Sequence, residues 1–294
     1  MEKNYRKGLM AAVSCSAIWG ILPIYWKMLL PISSSVIIFY RIFWVGVVAF
    51  LISYKKYGWK KIIEPLKIRK NRVTFFLAGV VITSNWSIYI WAVNSGNVIQ
   101  SSIGYYIEPL LISLFGIVLF SEKLTKFNLT ALLLALAGVV VMVIHSGQVP
   151  TIAFALAITF ATYSVIKKKL NIEAVMSLFY ETIFLVPVAL AVIIYLESTG
   201  QGAIAVAAPH QYILLALTGV CTALPLGLFN VGATNLPLVS LGITQYISPS
   251  IGLILGIFAF KEPFDGIQFI AVAIIWLGLF VFSLGEFRRE KERN

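Results

Sequence analysis

The segment Gln100 to Pro109, QSSIGYYIEP, and the segment Ser240 to Pro249, SLGITQYISP, decide how this chain is organised. Each lies in an apolar run long enough to cross a bilayer, yet each contains polar residues and a proline that removes a helix hydrogen bond. Interrupted, polar spans at matching places in two halves of a chain are typical of a transporter's binding site. We therefore predict helix breaks at Pro109 and Pro249 and treat the other residues as the scaffold around these spans.

The composition is that of an all-α membrane protein. Hydrophobic residues make up 60% of the 294 residues and charged residues only 12%, which excludes an ordinary soluble protein. A span needs about 20 residues, so little chain remains for a soluble domain, and the short alternating segments of a β-barrel are absent from the sequence. The apolar runs predict ten transmembrane helices, near residues 8–28, 34–54, 73–94, 98–120, 127–145, 150–168, 174–196, 211–233, 237–260 and 266–284.

The basic residues predict the orientation of these spans. Of the 23 lysines and arginines, all except Lys27, Arg41 and Lys261 fall on one side of the predicted membrane. The positive-inside rule then predicts that both termini are cytoplasmic. The net charge of +11 is therefore a topology signal, and we predict no nucleic-acid partner. Residues 55–72 carry the densest group of basic side chains and are predicted to form a solvated loop.

The two halves of the chain resemble each other at an offset of 140 residues. The identities between residues 17–141 and 157–281 include Lys27 with Lys167, Phe39 and Tyr40 with Phe179 and Tyr180, Tyr106 with Tyr246, Pro109 with Pro249, and Gly116 with Gly256. They predict two five-helix repeats, residues 1–147 and 148–294. Because five is odd, the second repeat enters the membrane from the opposite side, and two inverted repeats of this kind can alternate between inward-open and outward-open states.

Three charged residues, Arg41, Glu108 and Glu181, lie inside predicted spans, where a charge costs about 2.5–3.5 kcal/mol on insertion scales. Arg41 and Glu108 approach from the same side, so the two side chains could meet. One hypothesis places Glu108 in a central cavity, where it takes up a proton during transport; the other makes it part of a buried ion pair that fixes helix packing. Lys167 is the predicted partner of Glu181, either as part of the substrate pathway or as a packing pair.

Aromatic residues that share spans with small or polar residues are candidates for the substrate pathway. Stacking and cation–π contacts in such a cavity would suit planar solutes or cations, although packing explains any single aromatic residue as well. Three amides could hold the polar end of a substrate. The aromatic candidates are Trp19, Tyr25, Trp86, Tyr89, Tyr105, Tyr106, Tyr163 and Tyr246, and the amides are Asn94, Asn230 and Gln245.

The sequence lacks the motifs of most catalytic and cofactor sites. It has no GxxxxGK[ST] phosphate loop and no GxSxG nucleophile motif. His145 and His210 are its two histidines and Asp265 is its one aspartate, which gives poor support for a metal centre. We therefore predict no catalytic residue, no metal and no cofactor, and we predict that the chain is not an enzyme.

Five motifs give the chain a family resemblance that covers its whole length. AIWGILPIYWK at 17–27, FYRIFW at 39–44, SNWSIYIWAVN at 84–94, SSIGYYIEPL at 101–110 and FSEKL at 120–124 resemble the RarD family, in the EamA group of the drug/metabolite transporter superfamily. This resemblance implies a ten-helix, inverted-repeat permease of the bacterial inner membrane. The family pattern GYxINPL has asparagine where this chain has Glu108, so the resemblance does not name the solute.

The prediction is a secondary transporter that moves a small organic solute across a lipid bilayer by alternating access. Amino acids, aromatic metabolites and drug-like compounds are all candidate solutes. The alternatives are an uncoupled facilitator, a membrane-embedded lipid-modifying enzyme and a purely structural subunit. Proton coupling, the direction of transport and the choice between monomer and homodimer stay open at this point.

Overall fold

A computed structural model describes residues 2–94, 98–147, 150–170, 172–261 and 265–291. Within these ranges the secondary structure consists of twelve α-helices and no strand. The helices are α1 (Glu2–Met28), α2 (Ser34–Lys67), α3 (Arg69–Asn94), α4 (Val98–Phe120), α5 (Lys126–Ser146), α6 (Thr151–Leu170), α7 (Ala174–Thr182), α8 (Val186–Ser198), α9 (Pro209–Asn235), α10 (Leu238–Gln245), α11 (Ile247–Phe258) and α12 (Gly266–Lys291).

The helices are those of a multi-span membrane protein. In the described ranges, eight helical segments are long and apolar enough to cross a bilayer, or nine when α7 and α8 count as one span bent by 54°. One of the eight, Leu238–Phe258, combines α10 and α11. The predicted third span falls on α3, whose last side chains lie outside the described residues.

The two predicted helix breaks have different outcomes. Helix α4 continues through Pro109, so the expected break in this helix is not seen. A proline inside a helix removes one backbone donor, and the rest of the ladder can hold the helix together when neighbouring helices support it. In the second half, α10 gives way to α11 at Tyr246. Pro249 therefore lies in the first turn of α11, where backbone N–H groups have no partner within the helix.

Two further differences concern the helix boundaries. The predicted seventh span consists of the two helices α7 and α8, with Ile183, Phe184 and Leu185 between them. The predicted loop at 55–72 is mostly helical, because α2 continues to Lys67 and α3 begins at Arg69. The continuation of α2 kinks at Gly58, whose φ of 74° and ψ of 163° are accessible to glycine at little cost.

The outer surface of the bundle is apolar. Helix α5 shows this most simply, since its exposed side chains recur at helical spacing and form one stripe. Such an apolar face is stable in contact with the hydrocarbon of a bilayer, whereas in water it would favour aggregation. The members of the stripe are Leu129, Leu133, Leu136, Val140 and Ile144.

The helices pack mainly across the two halves of the chain. Helix α5 lies along α12, α4 lies along α6 and α10, and α1 lies along α9 and α11. Helix α2 contacts α9, α7 and α8, while α3 contacts α6 and α7. The two halves therefore interdigitate and form one bundle.

The backbones of α4 and α10 approach each other very closely at Gly242. A methyl group at this position would lie 2.6 Å from the carbonyl oxygen of Pro109 and would also collide with the hydroxyl of Ser113. The Ser113 hydroxyl donates to the carbonyls of Pro109, at 2.9 Å, and of Val239, at 3.3 Å. Small residues permit such close approach between membrane helices.

Candidate functional site

A cavity of about 390 Å³ lies between the two halves of the chain. Helices α1 to α4 form most of its wall, and the second half contributes Phe160, Leu226, Gln245, Ser248, Pro249 and Gly252. The cavity extends along α1 and α2 to the connection between them at residues 30–34. This connection is at the opposite end of the bundle from both termini, because α1 begins at Glu2 and ends at Met28.

Helical spacing explains which residues of α1 reach the cavity. Trp19, Leu22, Pro23 and Trp26 line it, and they follow the three- and four-residue spacing of one helix face. Tyr25 is on a different face, and its hydroxyl donates to the backbone carbonyl of Leu214. Sequence reasoning chose Tyr25 and missed Trp26, although the spacing from Trp19 was available to separate them.

Arg41 on α2 is held from two sides in the cavity wall. Its Nε donates to Thr222 Oγ1 on α9 at 2.8 Å. Its guanidinium carbon lies 4.1 Å from the ring centroid of Trp86 and 5.3 Å from that of Trp26, which is cation–π geometry. Because Nε is its one hydrogen-bonding atom among the described residues, the terminal nitrogens keep their donors for a ligand.

Glu108 on α4 lines the same cavity and is only 7% exposed. Within the described part of the chain, its carboxyl has neither a hydrogen bond nor an ion pair. Arg41 and Glu108 therefore do not form the contact that their depths in the sequence suggested, and no carboxyl oxygen of Glu108 lies within 4.0 Å of an Arg41 nitrogen. A buried carboxyl without a protein partner is costly, and such groups are concentrated at functional sites.

Gln245, the last residue of α10, brings a second unpartnered polar group to the cavity. Gln245 is 3% exposed, and its Nε2 is buried without a hydrogen bond among the described residues. Asn85 is different, because its Nδ2 already donates to the Leu156 carbonyl and to Thr159 Oγ1, both at 2.9 Å. Gln245 therefore has hydrogen-bonding capacity that Asn85 has already used.

The remaining wall of the cavity combines aliphatic residues with several aromatic rings. Trp19 meets Phe160 edge to face, with ring centroids 5.6 Å apart. The rings of Tyr89 and Tyr105 lie 5.7 Å apart. Phe160 was not predicted, although it lies between Thr159 and Ala161, the kind of polar and small neighbours that marked the other aromatic candidates.

The predicted pathway residues divide into two groups. Seven line the cavity, namely Trp19, Arg41, Trp86, Tyr89, Tyr105, Glu108 and Gln245. Seven lie elsewhere in the bundle, namely Tyr25, Tyr106, Tyr163, Lys167, Glu181, Asn230 and Tyr246. The Asn94 side chain lies outside the described residues, and the Asn230 amide donates to the Ile172 carbonyl at 3.1 Å.

Lys167 and Glu181 form a buried pair away from the cavity. Lys167 Nζ lies 2.6 Å from Glu181 Oε1, and the two side chains are 0% and 2% exposed. The predicted pairing is therefore confirmed. Ser177 accepts from Lys167 at 2.8 Å and donates to Glu181 at 2.7 Å, while the Tyr163 hydroxyl donates to Glu181 Oε2 at 2.9 Å. Every member of this buried cluster is satisfied, as a charge in a low-dielectric interior requires.

A second set of interactions closes the same end of the bundle. Glu122 accepts from the backbone N–H groups of Leu238 and Val239 at 2.8 and 2.9 Å, which caps the first turn of α10. Lys168 Nζ lies 3.0 Å from Glu122 Oε1 and donates to the Leu236 carbonyl at 2.6 Å. We refer to Glu122, Lys168 and the start of α10 as the terminal latch.

Tyr5 shows that the terminal latch lies at the end of the bundle that carries both termini. This residue of the first turns of α1 donates to Ser240 at 3.3 Å and to Glu286 near the end of α12 at 2.8 Å. The start of α1, the start of α10 and the end of α12 are therefore neighbours. Among the described residues, the cavity reaches the α1–α2 connection, while the buried cluster and the terminal latch close the opposite end of the bundle.

The comparisons with known proteins match this architecture. The model of the EamA-like transporter family matches twice, at residues 6–144 and 150–284. An uncharacterized transporter of Bacillus subtilis (strain 168), YojE, is 37% identical over 286 residues, covering 96% of this chain and 95% of its own. The protein RarD of Streptomyces exfoliatus is 34% identical over 96% of this chain and 90% of its own. RarD of Escherichia coli (strain K12) is 30% identical over 96% of this chain and 95% of its own.

A solved crystal structure shares the fold. It superposes with a TM-score of 0.72 over 95% of this chain and 98% of that chain, at 16% sequence identity. The relatives' names are those of transporters and not of enzymes, and the apolar helices identify a multi-span membrane protein consistent with the bacterial inner membrane. The chain belongs to the EamA-like transporter family and is a membrane transporter related to the RarD proteins.

Proposed function

We propose that this chain is a secondary transporter that carries a small organic solute through its cavity by alternating access between two inverted five-helix repeats. The observation that carries the proposal is the asymmetry of the bundle: in the part of the chain that the structure describes, a cavity lined by both halves reaches one end, while a buried cluster and the terminal latch close the other. A binding site closed on one side only is what alternating access requires.

The helix contacts support two repeats related by a two-fold axis. In this comparison α1 is equivalent to α6, α2 to α7 with α8, α3 to α9, α4 to α10 with α11, and α5 to α12. The contacts between helices then come in related pairs. Helix α1 contacts α9 as α6 contacts α3, and α4 contacts α6 as α11 contacts α1. The contacts of α2 with α7, of α4 with α10 and of α5 with α12 join equivalent elements, as elements at such an axis do.

The cavity residues suggest where that axis passes. Four pairs at the offset of 140 residues have both members in the cavity wall, which is expected for a site at the axis. These pairs are Gly20 with Phe160, Trp86 with Leu226, Tyr105 with Gln245, and Glu108 with Ser248. A solute bound there contacts both repeats at once, so its binding responds to their relative motion.

The open and closed ends also correspond through the same offset. Pro23, Ile37 and Arg41 line the open end, and their equivalents Tyr163, Ser177 and Glu181 belong to the buried cluster. In the opposite conformation, the second-half residues would line the open end and the first-half residues would pack together. We therefore keep Tyr163, Lys167 and Glu181 as pathway residues of that second conformation.

The positive-inside rule assigns the closed end to the cytoplasm, because the basic residues of the termini and of the 55–72 segment lie there. The cavity then faces the outside of the cell in this conformation. Labelling of a single cysteine placed at either terminus tests this orientation. A membrane-impermeant thiol reagent should label neither position in intact cells and both in inverted vesicles, and labelling of one terminus in intact cells would contradict it.

Proton coupling through Glu108 is part of the proposal. Its carboxyl is buried, lines the cavity and has no protein partner among the described residues, so proton uptake could accompany solute binding. Replacing Glu108 with Gln should abolish the response of transport to a pH gradient. Transport by Glu108→Gln with unchanged pH dependence would remove the proton role and leave the facilitator.

The transport function is tested with purified protein in proteoliposomes. Counterflow of labelled neutral, cationic, anionic and zwitterionic solutes is compared with that in protein-free liposomes, with and without a pH gradient. We expect saturable flux of at least one class and acceleration by the gradient. Flux that ignores the gradient favours the uncoupled facilitator, whereas turnover of a lipid without any solute flux favours the enzyme.

A further inference from the structure

The charges and walls of the cavity also indicate the chemical class of its solute. Resting on the transport function proposed above, we propose that the solute is a zwitterion with a planar ring, whose carboxylate binds Arg41 and whose amine binds Glu108. Among the described residues that line this cavity, Arg41 is the basic side chain and Glu108 is the acidic one; Tyr89 and Tyr105 are the other ionisable groups.

The Arg41 guanidinium is arranged to receive a carboxylate. Thr222 fixes its Nε, and Trp86 covers one face of the planar group at 4.1 Å. These contacts hold the guanidinium without using its terminal N–H donors. Two parallel N–H groups on a fixed plane match the two oxygens of a carboxylate, which is the strongest common geometry for this pair.

The Glu108 carboxyl is arranged to receive a cation. It makes no ion pair with Arg41 and no hydrogen bond among the described residues, although it is 7% exposed. Gln245, an amide in the wall of the same cavity, has a buried Nε2 without a partner among the described residues. Both groups would be satisfied by a polar ligand, since the Gln245 nitrogen can donate to a second oxygen of the solute.

A zwitterion is favoured over a singly charged solute by the balance of charge. A cation would leave Arg41 without an anion, and an anion would leave Glu108 without a cation, in a wall whose other described side chains are neutral. A charge that is buried without a partner costs several kcal/mol of desolvation free energy, which the attraction of an opposite charge can offset. A solute that carries both charges pairs both residues at once.

The aromatic walls and the volume define the rest of the solute. Trp19, Phe160, Tyr89 and Tyr105 present ring surfaces on which a planar group can stack. The volume of about 390 Å³ is near the lower end of ligand pockets, which span about 300–1,000 Å³. A single ring with a short charged chain fits these limits better than a large polycyclic drug.

Three compounds with the same ring separate the charge classes. Phenylalanine is the zwitterion, phenethylamine is the cation that lacks the carboxylate, and 3-phenylpropionate is the anion that lacks the amine. Binding to the purified protein in nanodiscs is measured by calorimetry and by tryptophan fluorescence. We expect phenylalanine to bind about tenfold or more tightly than either analogue, because each analogue lacks one charge-assisted hydrogen-bonded contact.

Two variants test the assigned partners. Arg41→Gln should weaken phenylalanine binding about tenfold or more and remove its advantage over phenethylamine. Glu108→Gln should weaken it similarly and remove its advantage over 3-phenylpropionate. Glu64→Gln and Arg69→Gln repeat the same chemical changes at exposed positions and should bind as the unmodified protein does. Thermal unfolding of each variant confirms that it is folded.

The outcomes distinguish this proposal from the transport function. Equal binding of the three compounds, tighter binding of a singly charged analogue, or no binding of any of them would overturn the zwitterion class. Undiminished phenylalanine binding in folded Glu108→Gln would overturn the amine contact and indicate an anion site. If any other solute is carried in proteoliposomes, the transport function stands after such a result; if none is, both proposals fail.

Discussion

Tyr106 and Tyr246 each reach across to the backbone of the opposite half of the chain. The Tyr246 hydroxyl donates to the Tyr106 carbonyl at 3.1 Å, and the Tyr106 hydroxyl donates to the Pro249 carbonyl at 3.5 Å. The two tyrosines are separated by 140 residues, the offset at which the halves resemble each other. They join the halves where α4 crosses the junction of α10 and α11.

This pair gives a prediction about stability. Tyr246→Phe removes a buried hydrogen bond of good length and should lower the free energy of unfolding by about 1 kcal/mol. Tyr106→Phe should cost less, because its hydrogen bond is at the limit of the usual length. Thermal unfolding in detergent measures both, and an equal or reversed order would contradict the assigned geometry.

The buried cluster gives a second prediction. Lys167→Met or Glu181→Leu alone leaves one buried charge without its partner and should cost about 3–5 kcal/mol. The double variant should cost clearly less than the sum of the two, because no unpaired charge remains. A double-mutant cycle on unfolding in detergent measures this coupling. Additive costs would show that the pair contributes nothing beyond the separate side chains.

The terminal latch gives a third prediction, about conformation. Glu122→Ala removes the cap of α10 and the partner of Lys168, and should therefore favour opening of the closed end. Loss of about 1.4 kcal/mol from the closed state would raise the open fraction about tenfold. The readout is thiol labelling of Ser240→Cys, which is buried at the closed end, in a background without Cys15 and Cys221.

A cysteine at the open end is the control for that experiment. Ser34→Cys lines the cavity and should react in the protein with an intact latch, whereas Ser240→Cys should react slowly. Glu122→Ala should accelerate Ser240→Cys labelling about tenfold and should not accelerate Ser34→Cys labelling, because the population that exposes the cavity end can only fall. Acceleration at both positions would indicate local unfolding instead of a change of state.

Asp265 gives a prediction about pH, at the start of α12 and outside the span. The backbone N–H of Gln268 first, and then His145 and the N–H of Ile267, hold the pKa of its carboxyl below the ordinary value of 3.8. Because the folded pKa is lowered, the stabilisation is present above the unfolded pKa and is lost as pH falls through the folded pKa.

Asp265→Asn should therefore reduce the acid dependence of stability. The melting temperature of the unmodified protein should fall on acidification below about pH 4, and the fall should be smaller in the variant, which has no carboxyl to protonate. Glu64→Gln, at an exposed carboxyl on α2, should leave the dependence unchanged. An identical acid profile for Asp265→Asn and the unmodified protein would contradict the role of this cap.

Much of the architecture could be predicted from the sequence because lipid restricts the choices. Hydropathy and the distribution of basic residues gave an all-helical membrane protein, and the chemistry of buried charge gave the pairing of Lys167 with Glu181. A buried charge needs a partner, and Lys167 is the opposite charge at matching depth. These inferences need only depth along a helix.

The inferences that failed needed the rotation and lateral position of helices. Depth alone suggested that Arg41 and Glu108 could meet, but they share a cavity without forming a pair. Tyr25 and Trp26 differ by one position in α1, which turns one side chain toward α9 and the other into the cavity. The proline at position 109 predicted a break in the helix, yet α4, packed among its neighbours, is continuous through this residue.

The close approach of α4 and α10 at Gly242 has a mechanical consequence. There is no room for even a methyl group between the two backbones. The two helices can therefore act as a pivot at this point, where the two halves stay in contact while they rotate against each other. A rigid lever that turns about its middle lowers one arm as it raises the other. Under the proposed alternating access, widening of the bundle at the end that carries the termini would narrow it at the cavity end, so that a solute could pass without a continuous pore for ions.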